Sequence, residues 1–223
     1  METLLRDLGE LLLRLVLVNV ELTLTAIAIA LPIACLFAFG RLSRLAVIHY
    51  PVTLYINVLR SSPLLMIMFW AYYTGPMLTG RSTTAYTAGL IALAAFEVAY
   101  FTELVRSGIQ SIPVSQRRAA LATGLTPAQA ALLIVLPQAL RRMLPSLLSQ
   151  SIIAFQDSTI ASVIGVTDVF QTTNIISARE QRPIELYTAL TVLFFAICWC
   201  LSHSVRRLER RTAHRIAGGG VVQ

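Results

Sequence analysis

The sequence predicts an all-α membrane protein of about five transmembrane helices, and three observations carry that prediction. Of 223 residues, 56% are hydrophobic and only 13% charged, with a mean hydropathy of +0.71. A soluble domain spends about a quarter of its residues on charge. Five apolar stretches match the ~20 residues a helix needs to cross the hydrocarbon core. The basic residues gather at the ends of those stretches, the pattern of membrane anchoring and orientation.

All eighteen basic residues are arginine. Without lysine the chain holds no ordinary phosphate-binding loop, whose lysine meets the β- and γ-phosphates, and no lysine Schiff-base chemistry. The net charge of +7 sits at span ends, so no solvent-facing basic domain exists to bind nucleic acid.

Residues 1–15, "METLLRDLGELLLRL", place leucine at helical spacing among arginines and acids, and are expected to form an amphipathic interfacial helix. The acidic start lacks the marks of a cleavable signal peptide. A single transmembrane domain is expected over residues 16–208, with spans at about 16–39, 52–73, 86–104, 144–166 and 186–204. Residues 209–223 read as a disordered cytoplasmic tail. Cys35, Cys198 and Cys200 are odd in number, lie in apolar segments and read as packing residues. His49, His203 and His214 fall near span ends and read as interfacial.

The stretch "RRAALATGLTPAQAALLIVLPQALRR", residues 117–142, is nearly apolar enough to be a sixth span. Arginine distribution argues against it. Five spans with the N-terminus outside and the C-terminus inside put twelve arginines in the cytoplasm and five outside, whereas six spans leave ten against seven. The positive-inside rule favours five. Local chemistry points the same way. Gly124 suits a helix end that needs a left-handed residue. Thr126, Pro127 and Gln129 spell an N-cap, a first-turn proline and a closing capping box. Residues 115–137 are therefore expected to form a cytoplasmic elbow, a short helix followed by a second ending near Pro137. Its small-residue face (Ala119, Ala120, Ala122) fits a groove on a partner. An elbow that only caps the bundle fits the same residues.

Ionisable groups inside spans are costly and point to function. Glu21, Arg60, Glu97, Glu103 and Asp157 are such groups. Arg60 heads Ser61-Ser62-Pro63, where the proline removes a backbone donor and loosens the turn before it. Its guanidinium fork can grip a carboxylate, or it can hold helices together by pairing with Glu97 or Glu103. Asp157, Ser158 and Thr159 lie in the most polar span, with Gln150 and Ser151 about two turns earlier near one face. Small hydroxyl residues there also serve ordinary helix packing. Glu103 and Arg106 are spaced for an i,i+3 ion pair.

The run Arg118-Ala-Ala-x₃-Gly124, then nine residues, then Ile134-x-Leu136-Pro137, resembles the E-A-A loop of ABC-importer permeases. "YINVLRSSPLLMIMFW", "AYFTELVRSGIQSI" and "FQDSTIASVIGVTDV" resemble the polar amino-acid permeases, the histidine/glutamine/glutamate/arginine group, and most closely the glutamate/aspartate ones. The resemblance runs from about Thr25 to Arg207. Arg118 stands where the family has glutamate, and Ser115-Gln116 where it has Gly-Gln.

That resemblance implies a permease of the bacterial inner membrane that binds no cofactor and hydrolyses nothing. A separate ATP-binding subunit pair would supply hydrolysis, an external solute-binding protein would deliver the amino acid, and a second permease chain would complete the pathway, a heterodimer being expected. It marks Arg118, Ala119, Ala120, Gly124, Leu125 and Thr126 for coupling to the ATPase. It marks Arg60, Ser61, Glu97, Gln150, Asp157, Ser158 and Thr159 for the substrate. A permease for cationic amino acids would place an acid at position 150, so Gln150 points to an acidic or neutral polar amino acid, with glutamate/aspartate first and glutamine, histidine or arginine as alternatives. An intramembrane enzyme is opposed by the lack of H-E-x-x-H and G-x-S-x-G motifs, and a respiratory electron carrier by the lack of paired histidines inside spans.

Overall fold

The computed structural model describes residues 9–218, and side-chain surroundings through residue 207 except at residue 79. The described residues are helical, without strands, in the order α1 (Gly9–Leu42), α2 (Ala46–Ser61), α3 (Leu64–Thr79), α4 (Ala85–Gln110), α5 (Val114–Ala122), α6 (Pro127–Ile164), α7 (Val169–Glu180) and α8 (Pro183–Gly218). Helices α1, α4, α6 and α8 are each long and apolar enough to cross a membrane. The pair α2 and α3 passes the same test jointly, which brings the candidate spans to five.

The core forms where α1 lies along α4. Ala26, Ala30, Ala34 and Ala38 recur every fourth residue and are all fully buried. They meet Leu93, Val98, Phe101 and Val105 of α4. Apolar burial drives little association between helices in lipid, so close approach over small side chains supplies the packing energy. The contact of α4 with α6 is closer still at Gly108, where an added Cβ would sit 2.8 Å from Met143 Cβ.

Several sequence expectations need correction. Residues 1–8 lie outside the described residues. From Gly9 onward the amphipathic segment expected over 1–15 is not a separate surface helix but the first turns of α1. No glycine or proline interrupts residues 11–31. Leu11 and Leu15, at 0% and 3% exposure, pack with Phe155, Val169, Ile176 and Leu186 instead of lipid headgroups. A widened π turn at Leu15–Val20 is the local irregularity.

The span expected over 52–73 is two helices bent by 108°. Proline disfavours helical geometry in the residue before it, and Ser62 adopts φ −104°, ψ 139° before Pro63. The span expected over 144–166 and the helix expected to end near Pro137 are one helix, α6. Pro137 lacks an N–H and would crowd the carbonyl four residues earlier, but a π turn at Ala130–Val135 opens the backbone just before it. The last turns of α6, Ser158–Ile164, tighten to 3₁₀ geometry and stop at Gly165 with φ +96°. Finally, the tail expected to be disordered from 209 continues α8 to Gly218. Arginine, leucine and glutamate are strong helix formers, and no breaker occurs between Pro183 and Gly218. Residues 219–223 lie outside the described residues.

Candidate functional site

The candidate substrate residues fall into three places. The first is the α4–α6 contact. Glu97 is fully buried, and Gln150 Nε2 donates to both of its carboxylate oxygens at 3.3 and 3.2 Å. Asp157, half-buried, lies two turns along α6 on the same face, near enough for its charge to bear on Glu97. Two carboxylates and an amide that donates to Glu97 make an electronegative cluster between α4 and α6.

The second place is the neighbourhood of Glu103. The expected Glu103–Arg106 pair is present, with Arg106 Nε and Nη2 donating to Glu103 Oε2 at 3.1 and 2.7 Å. Arg41, at the end of α1, approaches Oε1 at 3.3 Å through Nε. Arg60 approaches Oε2 at 3.9 Å and stands 5.2 Å above the Tyr100 ring. One carboxylate thus gathers arginines from α1, α2 and α4. The contact with Glu103 is long for an ion pair and leaves the Arg60 side chain 43% exposed, so both roles the sequence offers Arg60 stay open to it. Ser61 beside it is exposed on the bend, and Ser62 Oγ donates to Val58 O at 2.8 Å.

The third place was not legible as a site. Ser158, fully buried, donates to Phe155 O at 2.7 Å and accepts from Asn19 Nδ2 at 3.1 Å. Asn19, also fully buried, donates to Asp168 Oδ2 at 3.0 Å and accepts from Val169 N at 3.1 Å through Oδ1. Asp168 caps α7 by accepting from Gln171 N at 2.9 Å. Burial pushes the Asp168 carboxyl up, against the pull of the hydrogen bonds from Gln171 and Asn19. Ser158 therefore belongs to a latch joining α1, α6 and α7, apart from Gln150. Thr159 Oγ1 donates back to Gln156 O at 2.8 Å. Two signals could have found this latch: a lone amide in "VLVNVEL", and the Asp-x-x-Gln start signal at Asp168–Gln171. Glu21 is exposed, near enough to Tyr86 for its charge to bear on that hydroxyl.

The elbow has the local geometry its sequence spells. Gly124 sits at φ +89°, between α5 and α6. Thr126 Oγ1 accepts from Gln129 N at 3.3 Å while Gln129 Oε1 accepts from Thr126 N at 2.9 Å, the reciprocal capping box. Arg118 and Ala119 are exposed, Leu125 is half-buried, and Ala120 is buried. Arg142 Nη1 donates to Ser111 O at 2.7 Å, tying the middle of α6 to the end of α4. The presented face is thus Arg118, Ala119 and Ala122, with Ala120 turned inward.

Residues 27–214 match the family model of the binding-protein-dependent transport system inner membrane component. The glutamate/aspartate import permease protein GltK of Escherichia coli O6:H1 is 37% identical over 185 residues, covering 80% of this chain and 83% of that protein. The probable glutamine ABC transporter permease protein GlnP of Bacillus subtilis is 35% identical over 176 residues, covering 77% and 79%. A crystal structure of an amino acid ABC transporter with histidines superposes with a TM-score of 0.87 at 31% identity, covering 94% of this chain and 97% of that one. With matching blocks, matching fold and matching length, the chain belongs to the inner membrane components of binding-protein-dependent transport systems, as an ABC-importer permease subunit and not an enzyme.

Proposed function

We propose that this permease forms half of a pathway for polar amino acids, glutamate and aspartate first. What supports the reading is the 37% identity to GltK, named for glutamate/aspartate import, together with a buried polar centre at Glu97–Gln150 beside Asp157. The substrate's α-ammonium meets Asp157 and Glu97, and Gln150 keeps position 150 free of the negative charge a cationic side chain would demand. The N-terminus lies outside and the C-terminus inside, as the arginine distribution requires. An ATP-binding subunit pair grips the exposed elbow face at Arg118, Ala119 and Gly124, an external solute-binding protein loads the pathway, and a related second permease chain completes it. Transport follows an alternating-access cycle.

Glutamine is the second reading. Arg60 faces Glu103 and Tyr100, which leaves no fixed guanidinium beside Gln150 for a substrate's side-chain carboxylate. Uptake of labelled amino acids into proteoliposomes holding the assembled transporter, with its solute-binding protein, tests both. Glutamate or aspartate uptake supports the first reading and glutamine uptake the second. Preferred uptake of arginine, lysine or histidine would overturn the assignment of position 150.

A further inference from the structure

Helices α1, α6 and α8 enclose a groove of about 880 Å³, open along one side and separate from the Glu97–Gln150 centre. Its walls are almost wholly aliphatic, and the exceptions are informative. Thr23 Oγ1 donates to Asn19 O at 2.7 Å, Ser151 Oγ to Leu147 O at 2.9 Å and Ser204 Oγ to Cys200 O at 2.9 Å. Each hydroxyl donor is satisfied by its own helix, four residues back, so none of the three reaches for a polar occupant. On α1 the groove runs from Leu15 to Ile27, roughly 18 Å at 1.5 Å per residue. That length is about half the depth of a ~30 Å hydrocarbon core, room for most of one acyl chain. On α8 the lining ends at Arg207, where Arg206 precedes it and Arg210 and Arg211 follow in sequence.

We propose that this groove is a binding site for one anionic phospholipid, its acyl chain lying between α1, α6 and α8 and its phosphate held by Arg207. A hydrocarbon occupant fits walls that ask for no hydrogen bond. A negative headgroup fits the cationic end of α8, since a basic cluster at the end of a span attracts anionic lipid.

The test uses the assembled transporter in nanodiscs of equal phosphatidylglycerol and phosphatidylcholine, with retained lipid read by native mass spectrometry. One arginine near an anionic surface contributes ~1 kcal/mol, so phosphatidylglycerol should be enriched about fivefold. Arg207→Gln should bring the two lipids to parity without lowering the total retained. Leu24→Trp, at a wall position 62% exposed, should lower retention of both. Equal retention by the unaltered protein, or an unchanged ratio in Arg207→Gln, overturns the proposal. So does capture of the second permease chain by a photo-cross-linker attached to Leu24→Cys, in a background with Cys35, Cys198 and Cys200 replaced by alanine, because the groove would then be a protein interface.

Discussion

Replacing Asn19 by leucine keeps the branched skeleton of the side chain, at a somewhat larger volume, and deletes its polar chemistry. Three interactions disappear together: the donations to Ser158 Oγ and Asp168 Oδ2, and the acceptance from Val169 N. Interhelical hydrogen bonds in membrane proteins contribute about 0.6 kcal/mol on average and up to about 1.7. The three therefore amount to about 2–5 kcal/mol, the upper end applying because Asn19 and Asp168 are both fully buried and the carboxylate loses a partner. A chain of this size shifts its melting point by about 2–4 °C per kcal/mol, so Asn19→Leu should melt roughly 4–20 °C lower. Thermal unfolding of the purified transporter in detergent measures this. A double-mutant cycle with Asp168→Asn isolates the shared contact, because the second change should cost less once Asn19 is gone. A melting point within about 1 °C of the unaltered protein would refute the latch.

Other perturbations follow from the same geometry. Gly108→Ala drives a methyl to 2.8 Å from Met143 Cβ and should destabilise by about 1–3 kcal/mol through overpacking, with Met143→Ala in the same chain recovering most of the loss in a melting assay. Glu103→Gln leaves Arg41, Arg60 and Arg106 facing one another and should cost about 1–3 kcal/mol, with Arg41→Gln partly restoring the melting temperature. Gly124→Asp forces a side chain onto φ +89°, a strain of about 1–2 kcal/mol, while leaving membrane insertion intact. It should abolish substrate-stimulated ATP hydrolysis in the assembled complex, and unimpaired stimulation would count against elbow docking.

Elements whose signals are local were legible in the sequence, and elements decided by tertiary contacts were not. The Thr126–Gln129 box, the left-handed Gly124 and the Glu103–Arg106 pair each depend on a few neighbouring residues, and the structure forms all three. Hydropathy marked every spanning region but was blind to where helices bend or continue. The chain breaks at Pro63, whereas Pro137 continues its helix just after a π turn and Pro32 and Pro145 sit inside theirs. The Asn19–Asp168 contact joins residues 149 positions apart, beyond any pattern of period or spacing. Leu11 and Leu15 read as amphipathic because their partners on α7 and α8 come from the far end of the chain. Arg60 illustrates the limit of depth arguments. Its place within an apolar run fixed that it needed a counter-charge, but only the convergence of three helices brings Glu103 within reach.

The continuity of α6 has a mechanical corollary. Thr126 caps the start of a single strut and Gln150 lies well along it, about 36 Å away along the axis at 1.5 Å per residue. A displacement applied at the capping box needs no relay through loops or side-chain rearrangement to arrive at the carboxylate pair. The π turn at Ala130–Val135 is the compliant section of that strut. A π turn holds one residue more than the α turn it replaces, so deleting one residue from Ala130–Val135 should restore regular α geometry and leave Gln150 aimed at Glu97.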